Sequence, residues 1–160
     1  MRRGRRRHGA VFIDTNLLLV LIVGALDPNQ IERFKRTNAY TREDYLLLTA
    51  FVGNFSKMLT TPNVLTEVSN LLGQLSEPLR RRALAALGVL SGTTHENYLP
   101  TATLAADPSF PVLGLADASI LGSVDGYVTV LTDDFPLYQR LASTGAEVIN
   151  FHHLRSGALT

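Results

Sequence analysis

The sequence contains no cysteine and no tryptophan. Without cysteine there is no disulfide framework, no thiol nucleophile and no thiolate zinc site. That absence is compatible with a reducing cytosol, and a cytoplasmic location is the expectation. Long apolar runs are also missing. The stretch Leu17–Leu26 is uninterrupted but falls short of the roughly 20 residues that cross a bilayer. Arginines precede it, as in a secretory leader, yet Asp14 and Asn16 interrupt the apolar region and no small-residue cleavage pattern follows. No membrane association is expected. Glycine-rich phosphate cradles are absent too: there is neither a P-loop pattern with lysine nor a G-x-G-x-x-G.

What is present suits one domain. The chain has 160 residues, 46% hydrophobic and 18% charged, enough apolar material for one buried core. Its net charge of +1 conceals an asymmetry. Arg2, Arg3, Arg5, Arg6 and Arg7 hold five of the fifteen basic residues, leaving ten against fourteen acidic ones, so the body is acidic. Residues 1–9 read as a basic, disordered arm and residues 10–155 as the folded domain. The arm is read as a solvated leader; phosphate contact is the second reading.

Along the chain, apolar strands alternate with helical patterns. Ala10–Ile13 reads as a strand buried on both faces. Asp14-Thr15-Asn16 then supplies capping residues for a helix over Leu17–Leu26, stopped near Asp27-Pro28. Asn29–Arg36 reads as helical. Thr41 followed by Glu43 and Asp44 marks a helix start. Met58–Thr60 is a short strand, and Thr61-Pro62 opens the next helix with a cap and a proline at its first position. Glu77-Pro78 opens another, running toward Leu90 with Arg80–Arg82 outward. Ser91–Pro111 is irregular with one helical turn. Leu113–Ser123 is a helix, Tyr127–Leu131 a strand, the segment after Asp134 to Ala142 a helix, and Ala146–Ile149 a last strand. This alternation predicts a parallel α/β sheet.

The acids stand in informative places. Asp14 follows the first strand, and Asp133 and Asp134 follow the second clear one; ligands of open α/β sheets bind beyond the carboxyl ends of the strands. Glu67 borders the apolar face of Val64, Val68 and Leu71. Asp117 lies among small and apolar residues of Gly114–Leu121. A carboxylate beside a core-facing stripe is costly unless its charge is compensated. A shared divalent cation would do so, and carboxylates without Cys or His suit Mg²⁺ or Mn²⁺. Each acid also has a plainer role: Asp14 and one of Asp133 and Asp134 as helix caps, Glu67 as a surface residue, Asp117 as an arginine partner.

Val11-Phe12-Ile13-Asp14-Thr15-Asn16 resembles the opening motif of the PIN-domain nucleases. Thr66-Glu67-Val68, Leu115-Ala116-Asp117-Ala118-Ser119-Ile120 and Leu131-Thr132-Asp133-Asp134-Phe135 resemble the family's second, third and fourth motifs, in the family's order. The resemblance implies a PIN-like three-layer α/β/α sandwich with a central parallel sheet. It implies a Mg²⁺- or Mn²⁺-dependent endoribonuclease in which Asp14, Glu67, Asp117 and Asp134 hold metal, with Asp133 as the alternative fourth acid. Thr15 or Asn16 would support the site through hydrogen bonds, and Thr132 likewise. Many small members are toxins of toxin–antitoxin pairs, often dimeric, so an antitoxin partner and a homodimer are further expectations. The additional length around Asn29–Tyr45 and Ser91–Pro111 departs from a minimal toxin. A catalytically inactive RNA-binding module of the same fold is the alternative. A phosphatase-like hydrolase ranks lower, because Asn16 stands where its second aspartate belongs.

Weaker signals remain. His95-Glu96 lacks helical zincin spacing, and His152-His153 reads as a solvated tail. Arg33, Lys35, Arg36, Arg42 and Arg80–Arg82 are candidate phosphate contacts, with solubility as the plainer reading. Part of Leu17–Leu26 could serve a dimer contact.

Overall fold

The computed structural model describes residues 9–157; the arginine-rich arm lies outside them. Five strands form one all-parallel sheet: β1 (Ala10–Ile13), β2 (Lys57–Thr60), β3 (His95–Glu96), β4 (Val128–Thr132) and β5 (Glu147–Asn150), in the order β3-β2-β1-β4-β5. Among the described residues eight helices flank it, making three layers with the sheet in the middle: α1 (Thr15–Leu26), α2 (Arg42–Val52), α3 (Pro62–Leu72), α4 (Leu79–Ser91), α5 (Thr101–Ala105), α6 (Phe110–Ser123), α7 (Phe135–Ser143) and α8 (Phe151–Arg155). The expected α/β/α sandwich with a central parallel sheet is therefore present. The strand order runs outward from β1 to β3, then resumes on the other side of β1 with β4. Ile13 pairs with Leu131 at that reversal, so the polar turns after β1 and β4 open into one crevice.

The central strands are apolar because both faces are covered. All of β1 and β4 is buried, and Val11, Phe12, Val130 and Leu131 have no exposed surface. Helix α1 is buried nearly all round, which explains why Leu17–Leu26 carries no amphipathic pattern. It packs on α2, α3 and α4, so most of the run belongs to the chain's own core. Where α1 crosses α2, Gly24 meets the ring of Tyr45; a Cβ there would stand 2.3 Å from a ring carbon.

The structure corrects the helix expected over Asn29–Arg36. A 3₁₀ turn over Pro28–Gln30 is followed by successive turns. The buried positions recur every third residue, at Ile31, Phe34, Thr37 and Tyr40. A period of three suits i→i+3 bonding, as in Thr37 N–H to Phe34 C=O and Tyr40 N–H to Thr37 C=O. The Thr37 hydroxyl donates to the Ile31 carbonyl at 2.7 Å and holds the segment inward.

Two smaller differences share one cause: elements of two to five residues have too few positions to display a period. The edge strand β3 lies inside the region expected to be irregular. The expected tail at His152-His153 is helix α8, anchored by buried Phe151 and capped by the Asn150 side chain on His152 N–H at 2.9 Å. Both histidines remain exposed. Among the described residues no helix is long and apolar enough to cross a membrane.

Gly24→Ala should destabilise the fold by about 1–2 kcal/mol despite alanine's better helix propensity, because the whole Tyr45 ring must move. The midpoint of urea unfolding at constant slope measures this, and an unchanged midpoint would contradict the packing.

Candidate metal centre

The turn after β1 is fastened to the turn after β4 by one carboxylate. Asp14 caps α1, its Oδ1 accepting the Leu17 N–H at 2.9 Å. Its Oδ2 accepts the Thr132 hydroxyl at 2.6 Å and the Asp133 N–H at 3.0 Å. The Thr132 oxygen in turn accepts the Asp134 N–H at 3.0 Å, and Asp134 Oδ1 caps α7 through Leu137 N–H at 2.8 Å. A capped helix start on each side thus meets at the sheet's reversal point, with Asp14 only 3% exposed.

Glu67 and Asp117 arrive on helices locked to each other. Thr61 caps α3 through Val64 N–H at 3.2 Å, and its hydroxyl lies 2.7 Å from that of Ser119 on α6. Ser119 donates its proton to the Ala116 carbonyl at 2.6 Å, so Thr61 is the donor of the pair. This buried bond lies two residues from Asp117 and six from Glu67. Helix α6 also bends at Gly114, whose φ of 76° is the left-handed region. The bend separates the Phe110–Leu113 end, of which Pro111 and Val112 are exposed, from the part that carries Asp117. Between α3 and α6 runs an open groove of about 370 Å³, lined by Asn63, Thr66, Glu67, Asn70 and Leu115 among others. A larger hollow of about 510 Å³ between α5, α6 and α7 contains none of these acids; its size is no reason to place the chemistry there.

The charges of the acids act on one another. Burial pushes the Asp14 carboxyl up to about 7, with the Asp133 charge adding and the bonds from Thr132, Leu17 and Asp133 opposing. Burial likewise pushes Asp117 up to about 7, and the charges on it are those of Asp134, Asp14 and Glu67. Glu67 is raised by burial and by Asp14, and Asp133 by burial with the Asp134 charge adding. Among the described residues none of the five forms an ion pair; the pairs Arg80–Glu77, Arg140–Asp107 and Arg155–Asp44 lie elsewhere.

The expected residues thus fall into groups. Asp14, Asp133, Asp134 and Thr132 share one hydrogen-bonded turn, and Asp117 and Glu67 lie within its electrostatic reach. Asn16 donates to Asp133 over 3.5 Å, a long bond. The Thr15 hydroxyl, the other of the two, is buried without a hydrogen-bond partner among the described residues. The chemistry of the donor set fits a hard divalent cation, being all carboxylate and unpaired with any base. The fit in space is looser, since among the described residues no three acidic or imidazole side chains form a ready metal-binding group.

Sequence reasoning missed Ser119 and the Asp44–Arg155 pair. Ser119 was visible as a polar residue in an apolar helix, but its partner is 58 positions away. Arg155 reaches back to Asp44 across 111 positions. There it satisfies the capping acid of α2, lies over the Tyr40 ring and donates to the Ala39 carbonyl.

Fold and site together define a doubly wound α/β domain with an acidic crevice at its topological switch point. No protein-family model and no curated protein matches the chain.

Two outcomes follow. Thr132→Val keeps the shape of the side chain but leaves the Asp134 N–H and Asp14 Oδ2 without this partner; unfolding should cost about 1–3 kcal/mol less, read from denaturant midpoints. The acids also set a pH dependence. Because Asp14 and Asp117 titrate near 7 when folded and near 3.8 when unfolded, the folded state holds protons that the unfolded chain has lost. Their contribution to stability is full below about pH 4 and falls as pH rises to about 7. Without divalent cations the melting temperature should decline across that window, and Asp117→Asn should flatten the decline. The lowered Asp44 acts oppositely and below the window.

Proposed function

We propose that this protein is a divalent-metal-dependent endoribonuclease of the PIN type. The observation that carries this reading is the set of unpaired carboxylates at the switch point of a parallel sheet, with Asp14, Glu67, Asp117 and Asp133 each shifted upward by burial and by its neighbours' charge. Such an arrangement costs stability and is accounted for when a cation takes up the charge. Asp14, Glu67, Asp117 and Asp134 would hold Mg²⁺ or Mn²⁺, with Asp133 beside them. Bound there, the ion would supply an activated water and neutralise charge on the phosphate.

The chain's own groups do the positioning. Thr132 and the Asp133 N–H aim Asp14, and the Thr61–Ser119 bond sets the approach of α3 to α6. The α3–α6 groove leads to Glu67 and offers amide and hydroxyl groups for a polynucleotide strand. Water would displace one ester oxygen, leaving the phosphate on the 5′ side of the break, as the family resemblance implies. The same resemblance extends the proposal to a toxin with an antitoxin partner, to dimer formation and to a cytoplasmic location.

A second reading is favoured by one observation, the lack of a ready three-ligand group among the described residues. In it the chain binds RNA without cutting it.

Cleavage of single-stranded and structured RNA with Mg²⁺ or Mn²⁺ tests the choice. Asp14→Asn and Asp117→Asn should each lower the rate by at least about two orders of magnitude. Removal of the ion by EDTA should abolish cleavage. Calorimetric titration should show Mn²⁺ binding in the parent and weaker binding in both variants. Rates unchanged in both variants would defeat the nuclease reading; RNA binding without cleavage or metal uptake would establish the second.

A further inference from the structure

Beside the acidic turn lies a group of aromatic side chains with no role in the core. Phe135 directly follows Asp134 and begins α7; it is 58% exposed, although a residue of this size usually seeks burial. One turn later on the same face stands Tyr138. The two rings lie 6.3 Å apart, with 20° between their planes. His153 of α8 closes against Tyr138 edge-on at 6.0 Å and 86°. The Phe135 ring is therefore exposed at the start of α7, directly after the acidic turn, and Tyr138, packed against it, is braced by a second element.

Helix α8 carries His152, His153 and Arg155 in its last turn, and Arg155 lies within the electrostatic reach of Asp133. Elsewhere the crevice is carboxylate, which repels phosphate. A polynucleotide would therefore need affinity of another kind close to the acids, and stacking on a flat ring supplies it without regard to sequence.

We infer that Phe135, backed by Tyr138 and His153, is a stacking platform for an unpaired base of single-stranded RNA next to the scissile phosphate. The inference rests on the nuclease reading for its scissile phosphate, but stacking itself does not depend on cleavage. Duplex RNA keeps its bases inside the helix and cannot use such a ring, so the platform selects single strands.

The test measures fluorescence anisotropy of a short labelled RNA of mixed sequence, single-stranded or annealed, with EDTA present so that nothing is cut. The single strand should bind more tightly than the duplex. Phe135→Ala should weaken single-strand binding by about tenfold or more, within the range found for base–aromatic stacking. Phe135→Tyr should restore it, and neither variant should change duplex binding. Because the chain has no tryptophan, its ultraviolet emission comes from tyrosine, and single-stranded RNA should quench it less in Tyr138→Leu than in the parent.

The two proposals fail separately. If no condition yields cleavage but Phe135→Ala still loses single-strand binding, the platform stands and the nuclease falls. If cleavage is observed and Phe135→Ala binds and cleaves as the parent does, the platform falls alone. A shift from dimer to monomer in Phe135→Ala at unchanged RNA affinity would also overturn it, in favour of a protein contact.

Discussion

The hydrogen-bonded carboxylate of Asp14 is the constraint on which the rest of the crevice depends. It terminates β1, caps α1 and receives both Thr132 and the Asp133 N–H from the end of β4. Three donors on one buried carboxylate join the first and fourth strands at the point where the winding of the sheet reverses. The neighbouring acids inherit their places from that junction. Asp134 is set by the Thr132 oxygen that serves Asp14, and Asp133 by its own N–H.

Such a junction carries an electrostatic cost. Hydrogen bonds favour the charged form of Asp14, whereas burial and the charge on Asp133 oppose it. Opposition prevails, and burial with neighbouring charge raises Asp117 as well. Among the described residues no basic side chain forms an ion pair with these acids; Arg155, whose charge reaches Asp133, is bonded to Asp44. A structural role alone would be served better by neutral caps such as asparagine or serine. Carboxylates with raised proton affinity in a cleft recur at functional sites, and these sit where doubly wound folds bind ligands; the proposed metal centre rests on that coincidence.

The fold was legible where several physical signals coincided. Ala10–Ile13 is apolar, partly β-branched and bounded by a capping residue; the structure places β1 there without adjustment. Thr61-Pro62 and Thr41 with Asp44 marked helix starts that the structure retains, the latter as a complete capping box. Asn29–Arg36 misled because its charges resemble a surface helix, while the informative feature was the threefold spacing of Ile31, Phe34 and Tyr40. Within the site, Thr132, expected as a support from the family resemblance, donates to Asp14. Thr15 has the same kind of position, but its buried hydroxyl has no partner among the described residues; which groups meet at a helix start depends on packing that local sequence does not contain.

The sequence by itself determined the alternation of strands and helices, the helix caps, and the placing of acids at strand ends and beside apolar helix faces. These follow from local sterics and from periods of two or 3.6 residues. Only the tertiary structure decided which of them meet. The strand order brought Asp14 to Thr132 across 118 positions, and the Thr61–Ser119 bond brought α3 to α6 across 58. The raised proton affinities of Asp14 and Asp117 exist only after that assembly, because desolvation and mutual repulsion act through space and not along the chain.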